Sequence, residues 1–143
     1  MTAKDYLSQV QENDEKLDDE RLYIQKLRES LVSVTGSLSD DKVQGSVVGD
    51  TMSAVIATIL DAEERLKEWE EQVCAFRFQV ITQIHKMQDL HLKELLMLKY
   101  IDWRNYGTLK DVADTMGYSY DYIKELHSKA LLEFGKLFPL NPT

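Results

Sequence analysis

The sequence is poor in the residues that interrupt helices or cross-link chains. It contains two prolines, six glycines and one cysteine among 143 residues. A single cysteine excludes a disulfide within the chain and fits a reducing compartment, so we expect a cytoplasmic protein. No apolar run approaches the thickness of a bilayer, and the first residues are polar and acidic, so neither a membrane span nor a secretory signal is expected.

The residue patterns that accompany catalysis or cofactor binding are also missing. The three histidines are scattered, without the Glu-x-x-His or His-x-x-x-His spacing of metal ligands, and no Gly-x-Ser-x-Gly motif occurs. The segment GSVVGDT, residues 45–51, carries Asp50 where a phosphate loop requires lysine, and we interpret it as part of a connector. We therefore expect neither an enzyme nor a bound cofactor or metal, and we interpret Cys74 as a packing residue.

Negative charge is concentrated in the N-terminal part of the chain. The formal net charge is −8: residues 1–89 hold 10 Lys and Arg against 18 Asp and Glu, and residues 90–143 hold 7 of each kind. An acidic segment repels phosphate, so a nucleic acid is expected to bind only at the neutral C-terminal segment.

Residues that favour helices are abundant, and the apolar ones recur every three and four positions, which predicts an all-α protein. A first helix should begin after Thr2, with Asp5 completing a capping box, and run to about residue 34. The Gly-, Ser- and Asp-rich segment TGSLSDDKVQGSVVGD should form a connector. A second helix, capped by Asp50, should run from residue 51 to about residue 88.

The second predicted helix carries the strongest periodic pattern, in which eleven of twelve positions spaced alternately by three and four residues are apolar. This pattern predicts coiled-coil packing, with the first helix folded back as the nearest partner. We therefore expect residues 1–89 to form an acidic helical hairpin that serves as an oligomerisation or partner-binding arm. The twelve positions are Met52, Val55, Ile59, Ala62, Leu66, Trp69, Val73, Phe76, Val80, Gln83, Met87 and Leu90.

A second apolar stripe lies on the opposite face of the same helix and consists of Cys74, Phe78 and Ile81. Either the C-terminal domain or a second subunit should cover it, and both remain open; we expect a dimer. The first helix carries a run of acids that we interpret as a solvated face: Asp14, Glu15, Asp18, Asp19 and Glu20.

Residues 90–143 follow the layout of a helix-turn-helix domain of three helices. Ala113 is small where the second helix must cross closely, and Gly117 permits a left-handed turn. Thr108 and Ser119 stand at the expected N-cap positions. Six residues occupy positions at which this motif restricts size or shape: Val112, Ala113, Met116, Gly117, Ile123 and Leu126.

The flanking residues complete this predicted domain. Leu92, Leu95, Leu96 and Ile101 supply a preceding helix. Ala130, Phe134 and Leu137 extend the last helix until Pro139 ends it. Trp103, in the short segment between helices, is interpreted as a plug at the end of the small core rather than as a ligand-stacking residue.

The segment from LLMLKYIDW to TLKDVADTMGYSYDYIKELHSKALLEF resembles region 4 of the sigma-70 class of initiation factors, which reads the −35 promoter element. The match covers roughly the last third of the chain. In order and length, the whole chain is also similar to phage late-gene regulators of the RinA and ArpU type. The residues on the region 4 pattern are Thr108, Leu109, Val112, Gly117, Ser119, Ile123, Lys129, Ala130, Leu131 and Phe134.

These resemblances imply a DNA-binding transcription regulator of phage or mobile-element origin that acts at a promoter with or through RNA polymerase. Tyr120, Tyr122 and Lys124 stand where the sigma pattern has arginines, so the −35 base preference is not carried over. Acids can still accept from cytosine N4, and tyrosines can donate to phosphate. The expected DNA contacts are Arg104, Thr108, Lys110, Ser119, Tyr120, Asp121, Tyr122, Lys124, Glu125, Ser128 and Lys129.

Two alternatives remain open at the level of sequence. The neutral charge of residues 90–143 also fits an interaction module that keeps the region 4 fold and contacts only protein. A small-terminase-like packaging protein likewise combines a helix-turn-helix with helical oligomerisation elements, although its DNA-reading module is expected at the other end of the chain.

Overall fold

The computed structural model describes residues 1–38 and 45–140, and it describes side chains for residues 1–33 and 49–140. Every regular element in this part of the chain is helical, which confirms the all-α prediction. None of these helices is both long and apolar enough to cross a membrane. The elements are α1 (Ala3–Leu38), α2 (Gly45–His85), α3 (Leu90–Leu96), a π-helical turn (Met97–Ile101), α4 (Trp103–Tyr106), α5 (Leu109–Met116) and α6 (Tyr120–Leu137).

The start of α1 agrees with the prediction, whereas the start of α2 does not. The Asp5 amide donates to Thr2 Oγ1 at 3.1 Å and the Thr2 amide donates to the Asp5 carboxylate at 3.3 Å, which confirms the capping box. Helix α2 already begins at Gly45, so Asp50 lies inside the helix and is not its cap. Glycine costs a helix only about 1 kcal/mol per residue, whereas proline, which this segment lacks, costs about 3. At its other end, residues 35–38 of the predicted connector belong to α1, which ends at Leu38 rather than near residue 34. Residues 39–44 lie outside the described residues.

Contacts divide the chain into two compact units, one formed by Met1–Asp14 with Val73–Thr143 and the other by Glu15–Gln72. The start of α1 and the end of α2 are thus grouped with the C-terminal helices, whereas the sequence placed a boundary between residues 89 and 90. One continuous core explains this grouping. It contains Leu7 from α1, Ile84 from α2 and Phe134 from α6, all fully buried.

In the unit Glu15–Gln72, α1 and α2 run antiparallel: Arg21 pairs with Glu70, whereas Arg28, seven residues later in α1, pairs with Glu63, seven residues earlier in α2. Leu17 and Ile24 are buried on α1, and Ile59 and Ala62 are buried on α2. Three ion pairs join the two helices: Arg21 with Glu70 at 3.3 Å, Arg65 with Glu20 at 3.4 Å, and Arg28 with Glu63. Ion pairs at a protein surface add less than about 1 kcal/mol each, so these pairs specify the register of the helices more than they stabilise them.

The predicted seam of α2 is correct over most of its length but wrong at two positions. Trp69 is 43% exposed, and Leu90, which is 74% exposed, is the first residue of α3 rather than part of α2. The helix ends at His85, so the heptad pattern cannot continue to residue 90 on the same axis.

The second predicted stripe is covered at only one of its three positions. Ile81 packs against the core of the unit that contains the C-terminal helices. Phe78 is 71% exposed and Cys74 is also exposed. The chain's own C-terminal helices therefore do not cover these two residues, and their coverage by a second subunit stays a prediction.

One member of the acidic run on α1 is not solvated. Asp14 is only 6% exposed and Glu20 is half-buried, whereas Glu15, Asp18 and Asp19 are exposed as expected. The Asp14 carboxylate pairs with the Arg77 guanidinium, which satisfies its charge inside the unit. Asp14 lies four residues after the buried Val10, on the apolar side of α1, and this spacing is the signal that a reading of charge alone overlooks.

Candidate nucleic-acid interface

Local hydrogen bonds define the connection between α5 and α6, and they confirm the predicted caps. The Asp111 amide donates to Thr108 Oγ1 at 3.2 Å at the start of α5, and the Tyr122 amide donates to Ser119 Oγ at 3.2 Å at the start of α6. Between the helices, Gly117 adopts φ +76°, the left-handed conformation that its lack of Cβ permits. The amide of Tyr118 then reaches back to the Ala113 carbonyl at 2.9 Å.

The side chains beneath this connection set the angle at which α6 is presented. Val112 and Ala113 of α5 are buried against Ile123 and Ala130 of α6 in the common core. Ala113 is 2% exposed, in agreement with the small residue predicted where the helices approach. One side of α6 is thereby fixed to the protein, and the other side remains available.

Gly117 and Gly135 provide a matched pair of glycine-to-alanine substitutions. Gly117→Ala should lower the free energy of unfolding by about 1–2 kcal/mol, because an L-residue is strained at φ +76°. Gly135→Ala should raise it by about 0.5–1 kcal/mol, since Gly135 lies inside α6 and an added Cβ meets no atom within 4 Å. Urea denaturation of both variants checks the opposite signs, and equal effects would contradict the strained-turn argument.

The structure places every residue predicted to contact DNA at the surface. On α6, where successive residues are about 100° apart, Asp121, Glu125 and Ser128 point opposite the buried Ile123. From one flank to the other the exposed arc covers about 200°. The exposed set comprises Arg104, Thr108, Lys110, Ser119, Tyr120, Asp121, Tyr122, Lys124, Glu125, Ser128 and Lys129.

One flank of α6 adjoins the first turn of α5. Thr108, Lys110 and Tyr120 line a shared open depression of about 480 Å³. The Lys124 ammonium lies 4.8 Å from the centre of the Tyr120 ring and 3.5 Å from the Asp121 carboxylate. The structure therefore brings residues of both helices together on this flank.

The other flank contains a separate group of side chains. The Tyr122 ring meets the Tyr118 ring edge-on at 5.0 Å, and the Tyr118 hydroxyl lies 3.3 Å from His91 Nδ1. Tyr118 is a neighbour of the site that was not among the predicted DNA contacts. It precedes the N-cap Ser119, so its contact with Tyr122 depends on the turn at Gly117 rather than on helical spacing. Lys129 lines a second depression, of about 460 Å³, with Lys86, and so does not lie beside Lys110.

The exposed face of α5 and α6 is close to neutral rather than basic. Asp114, Asp121 and Glu125 accompany Lys110 and Lys124, and all five side chains are exposed. Non-specific attraction to a polyanion is consequently weak here, and recognition would have to come from directional contacts.

Arg104 lies on α4 and stacks on the ring of its neighbour Trp103. Its guanidinium carbon is 4.4 Å from the centre of the Trp103 ring, and Trp103 itself packs against the core as the sequence predicted. Trp103 Nε1 donates to the Asp14 carboxylate at 2.8 Å. The ring that Arg104 contacts is thus hydrogen-bonded to a residue distant in sequence.

Beneath the exposed face, α6 is joined to the π-helical turn by a buried polar pair. The Tyr100 hydroxyl and His127 Nε2 are 2.7 Å apart, and His127 is 8% exposed. Burial lowers the pKa of His127 to about 4, with further lowering by the charges of Lys99 and Lys4. Burial also raises the pKa of the Tyr100 hydroxyl to about 12. Both groups are therefore neutral near pH 7.

Comparison with known proteins gives no match. No protein-family model matches the chain, and neither does any curated protein or solved structure. Among the described residues, no three His, Cys, Asp or Glu side chains are grouped so that they could bind a metal ion. A functional assignment for this surface therefore rests on its residues and their geometry.

Proposed function

We propose that the chain is a sequence-specific, double-stranded DNA-binding transcription regulator in which α5 and α6 form a helix-turn-helix. The observation that carries the proposal is the exposed face of α6 from Tyr120 to Lys129, which presents polar and tyrosine side chains over about 200° and follows a capped left-handed turn. The major groove of B-DNA is about 12 Å wide and admits one helix, which leaves both flanks of that helix near phosphates.

In this arrangement the middle of the exposed arc faces the bases. Asp121 and Glu125 can accept from cytosine N4, and the Ser128 hydroxyl can donate or accept. Lys124 partly neutralises the Asp121 carboxylate, which reduces the repulsion between that acid and the phosphates. Acids at these positions fit a helix that selects sequences rather than one that binds all DNA.

The flanks supply the contacts to phosphate. Thr108, Lys110 and Tyr120 meet on one flank of α6, and Lys129 lies on the other. Tyr122 lies on the same flank as Lys129, and its ring can pack on a thymine methyl instead of contacting phosphate. Hydroxyl and ammonium donors on both sides of a groove-inserted helix fix its register without reading sequence.

The number of cations predicts how binding depends on salt. Arg104, Lys110, Lys124 and Lys129 give about three or four phosphate contacts. The slope of log K against log salt concentration should therefore be about −3 to −4 for each copy of the DNA-binding domain. Lys129→Ala should weaken binding to all sequences alike and reduce the slope by about one. Fluorescence anisotropy across a salt series measures this, with Lys16→Ala, outside the proposed interface, as the control.

Base reading has a different signature. Replacing Tyr122, or replacing Glu125 by Gln, should change the preferred base at one or two positions by about 1–3 kcal/mol and leave the salt slope unaltered. Selection from a random DNA pool with the wild-type protein defines the site against which both variants are compared. No binding to any duplex at low salt, with or without RNA polymerase, would reject the regulator function.

A homodimer would supply the affinity for DNA that one weakly charged DNA-binding domain lacks. Two copies would read half-sites about one helical turn apart, and RNA polymerase is proposed as a further partner at the promoter. Light scattering of the free protein and of its DNA complex measures the number of copies. One copy in both would exclude paired half-sites.

A protein-contacting module is the second candidate, and one observation favours it. Lys124 is already engaged by Asp121 and by the Tyr120 ring, and the carboxylates of Asp114 and Glu125 lie on the same near-neutral face. If the DNA selection returns no sequence, this face should instead bind a protein partner.

A further inference from the structure

The buried carboxylate of Asp14 connects three elements of one compact unit. It pairs with Arg77 of α2, and it accepts from Trp103 Nε1 of α4 at 2.8 Å. Arg77 also donates to the Ile101 carbonyl at 3.3 Å, at the end of the π-helical turn. Asp14 therefore contacts Trp103, the residue before Arg104, directly, and it contacts the backbone at Ile101 through Arg77.

The bond to Asp14 determines how the indole of Trp103 is turned. An indole has one polar atom, Nε1, which can only donate, so a charged acceptor on that edge fixes the ring in one orientation. The ring face then lies beneath the Arg104 guanidinium at 4.4 Å. Arginine stacks favourably on tryptophan through its planar, delocalised charge.

The backbone around Trp103 is restrained as well. Lys99 Nζ donates to the Gly107 carbonyl at 2.6 Å, just beyond the end of α4. A Cβ at Gly107 would lie 2.5 Å from the Trp103 carbonyl oxygen, so the chain passes there only because residue 107 is glycine. With the main chain of α4 fixed in this way, the orientation of the Trp103 side chain depends on Asp14.

We propose that Asp14 is a positioning residue that, through Trp103, orders the Arg104 guanidinium at the protein surface for contact with a DNA phosphate. The phosphate contact rests on the proposed function, whereas the ordering of Arg104 does not. A side chain ordered before binding loses less conformational entropy when the complex forms. Asp14 itself does not touch the DNA.

The experiment separates ordering from binding. Trp103→Phe keeps an aromatic ring but removes the N–H, Asp14→Ala removes the acceptor, and Asp14→Asn keeps an acceptor oxygen. Nuclear magnetic resonance of the Arg104 Nε–H and of the indole N–H groups reports order without DNA. Trp69→Phe is the matched control, because Trp69 is the other tryptophan and lies in the unit Glu15–Gln72.

We expect Trp103→Phe and Asp14→Ala to lower the order of the Arg104 guanidinium, and Asp14→Asn to retain most of it. Trp103→Phe should weaken DNA binding by about three- to ten-fold, the factor that corresponds to ordering one long side chain. In an Arg104→Ala background the same change should have no further effect on binding, because the side chain that it positions is gone. Trp69→Phe should alter neither measurement.

Each other outcome overturns a defined part of the inference. An Arg104 signal that stays ordered in Trp103→Phe rejects the positioning role, whether or not the protein binds DNA. Loss of that order with unchanged DNA affinity rejects the phosphate contact. A wild-type protein that binds no duplex rejects the proposed function and the phosphate contact with it, and the Arg104 signal still decides whether Asp14 orders the side chain.

Discussion

Replacing Leu7 by alanine is expected to lower the free energy of unfolding of the unit that contains the C-terminal helices by about 2–5 kcal/mol. Leu7 is fully buried and shares one core with Phe134 of α6 and Leu95 of α3. Truncation removes buried methyl groups and leaves a cavity that well-packed helices cannot fill. The predicted effect is large for a residue near the N-terminus, which the sequence assigned to a separate arm.

The measurement is hydrogen exchange at buried amides of α6, because two compact units need not unfold together. Leu22→Ala is the matched control on the same helix, since Leu22 is 49% exposed and alanine is a better helix former. Faster exchange at Ile123 and Phe134 in Leu7→Ala, but not in Leu22→Ala, is the expected result. Unchanged exchange in both variants would show that the start of α1 does not stabilise the C-terminal helices.

Features that depend on a few neighbouring residues were predictable from the sequence. The caps at Thr2, Thr108 and Ser119 and the left-handed turn at Gly117 all form as expected. In each case the side chain or the absence of Cβ acts on a backbone group within four residues. Such chemistry is readable without knowledge of the tertiary structure.

Features that depend on tertiary packing were not predictable in the same way. The start of α1 and the end of α2 complete the core beneath α6, and no local pattern reveals which helix covers them. Asp14 was predicted to be solvated because it is charged, but it lies on the apolar side of α1. There its carboxylate pairs with Arg77 of another helix. The short helix α4 and the π-helical turn were likewise absent from the prediction.

The candidate site shows the same division. That α6 exposes Tyr120, Asp121 and Glu125 follows from its helical period once Ile123 is assigned to the core. That Lys110 and Lys129 lie on different flanks does not follow, because it depends on how α5 packs against α6. The contact between Asp14 and Trp103 joins residues far apart in sequence, and only the fold reveals it.

Acid should destabilise the protein through a residue that the sequence analysis left without a role. His127 is 8% exposed beside Tyr100, and burial lowers its pKa from 6.5 to about 4. Between these two values the unfolded chain binds a proton that the folded chain does not. Stability from this residue is therefore complete above about pH 6.5, falls as the pH is lowered, and is lost below about pH 4.

The shift corresponds to about 3 kcal/mol at about 1.4 kcal/mol per pKa unit, which is a substantial part of the stability of a small unit. His127→Gln keeps a hydrogen-bond acceptor for the Tyr100 hydroxyl but does not titrate in this range, so its free energy of unfolding should fall much less between pH 6.5 and 4. Effects of acid on all other groups are common to both proteins, so the difference between the two curves isolates the histidine. Replacing the exposed His85 by Gln is the control, and urea denaturation at intervals across this range is the measurement. Parallel curves for the wild type and His127→Gln would mean that a protonated His127 is accommodated in the fold, through hydration or movement of α6 away from Tyr100.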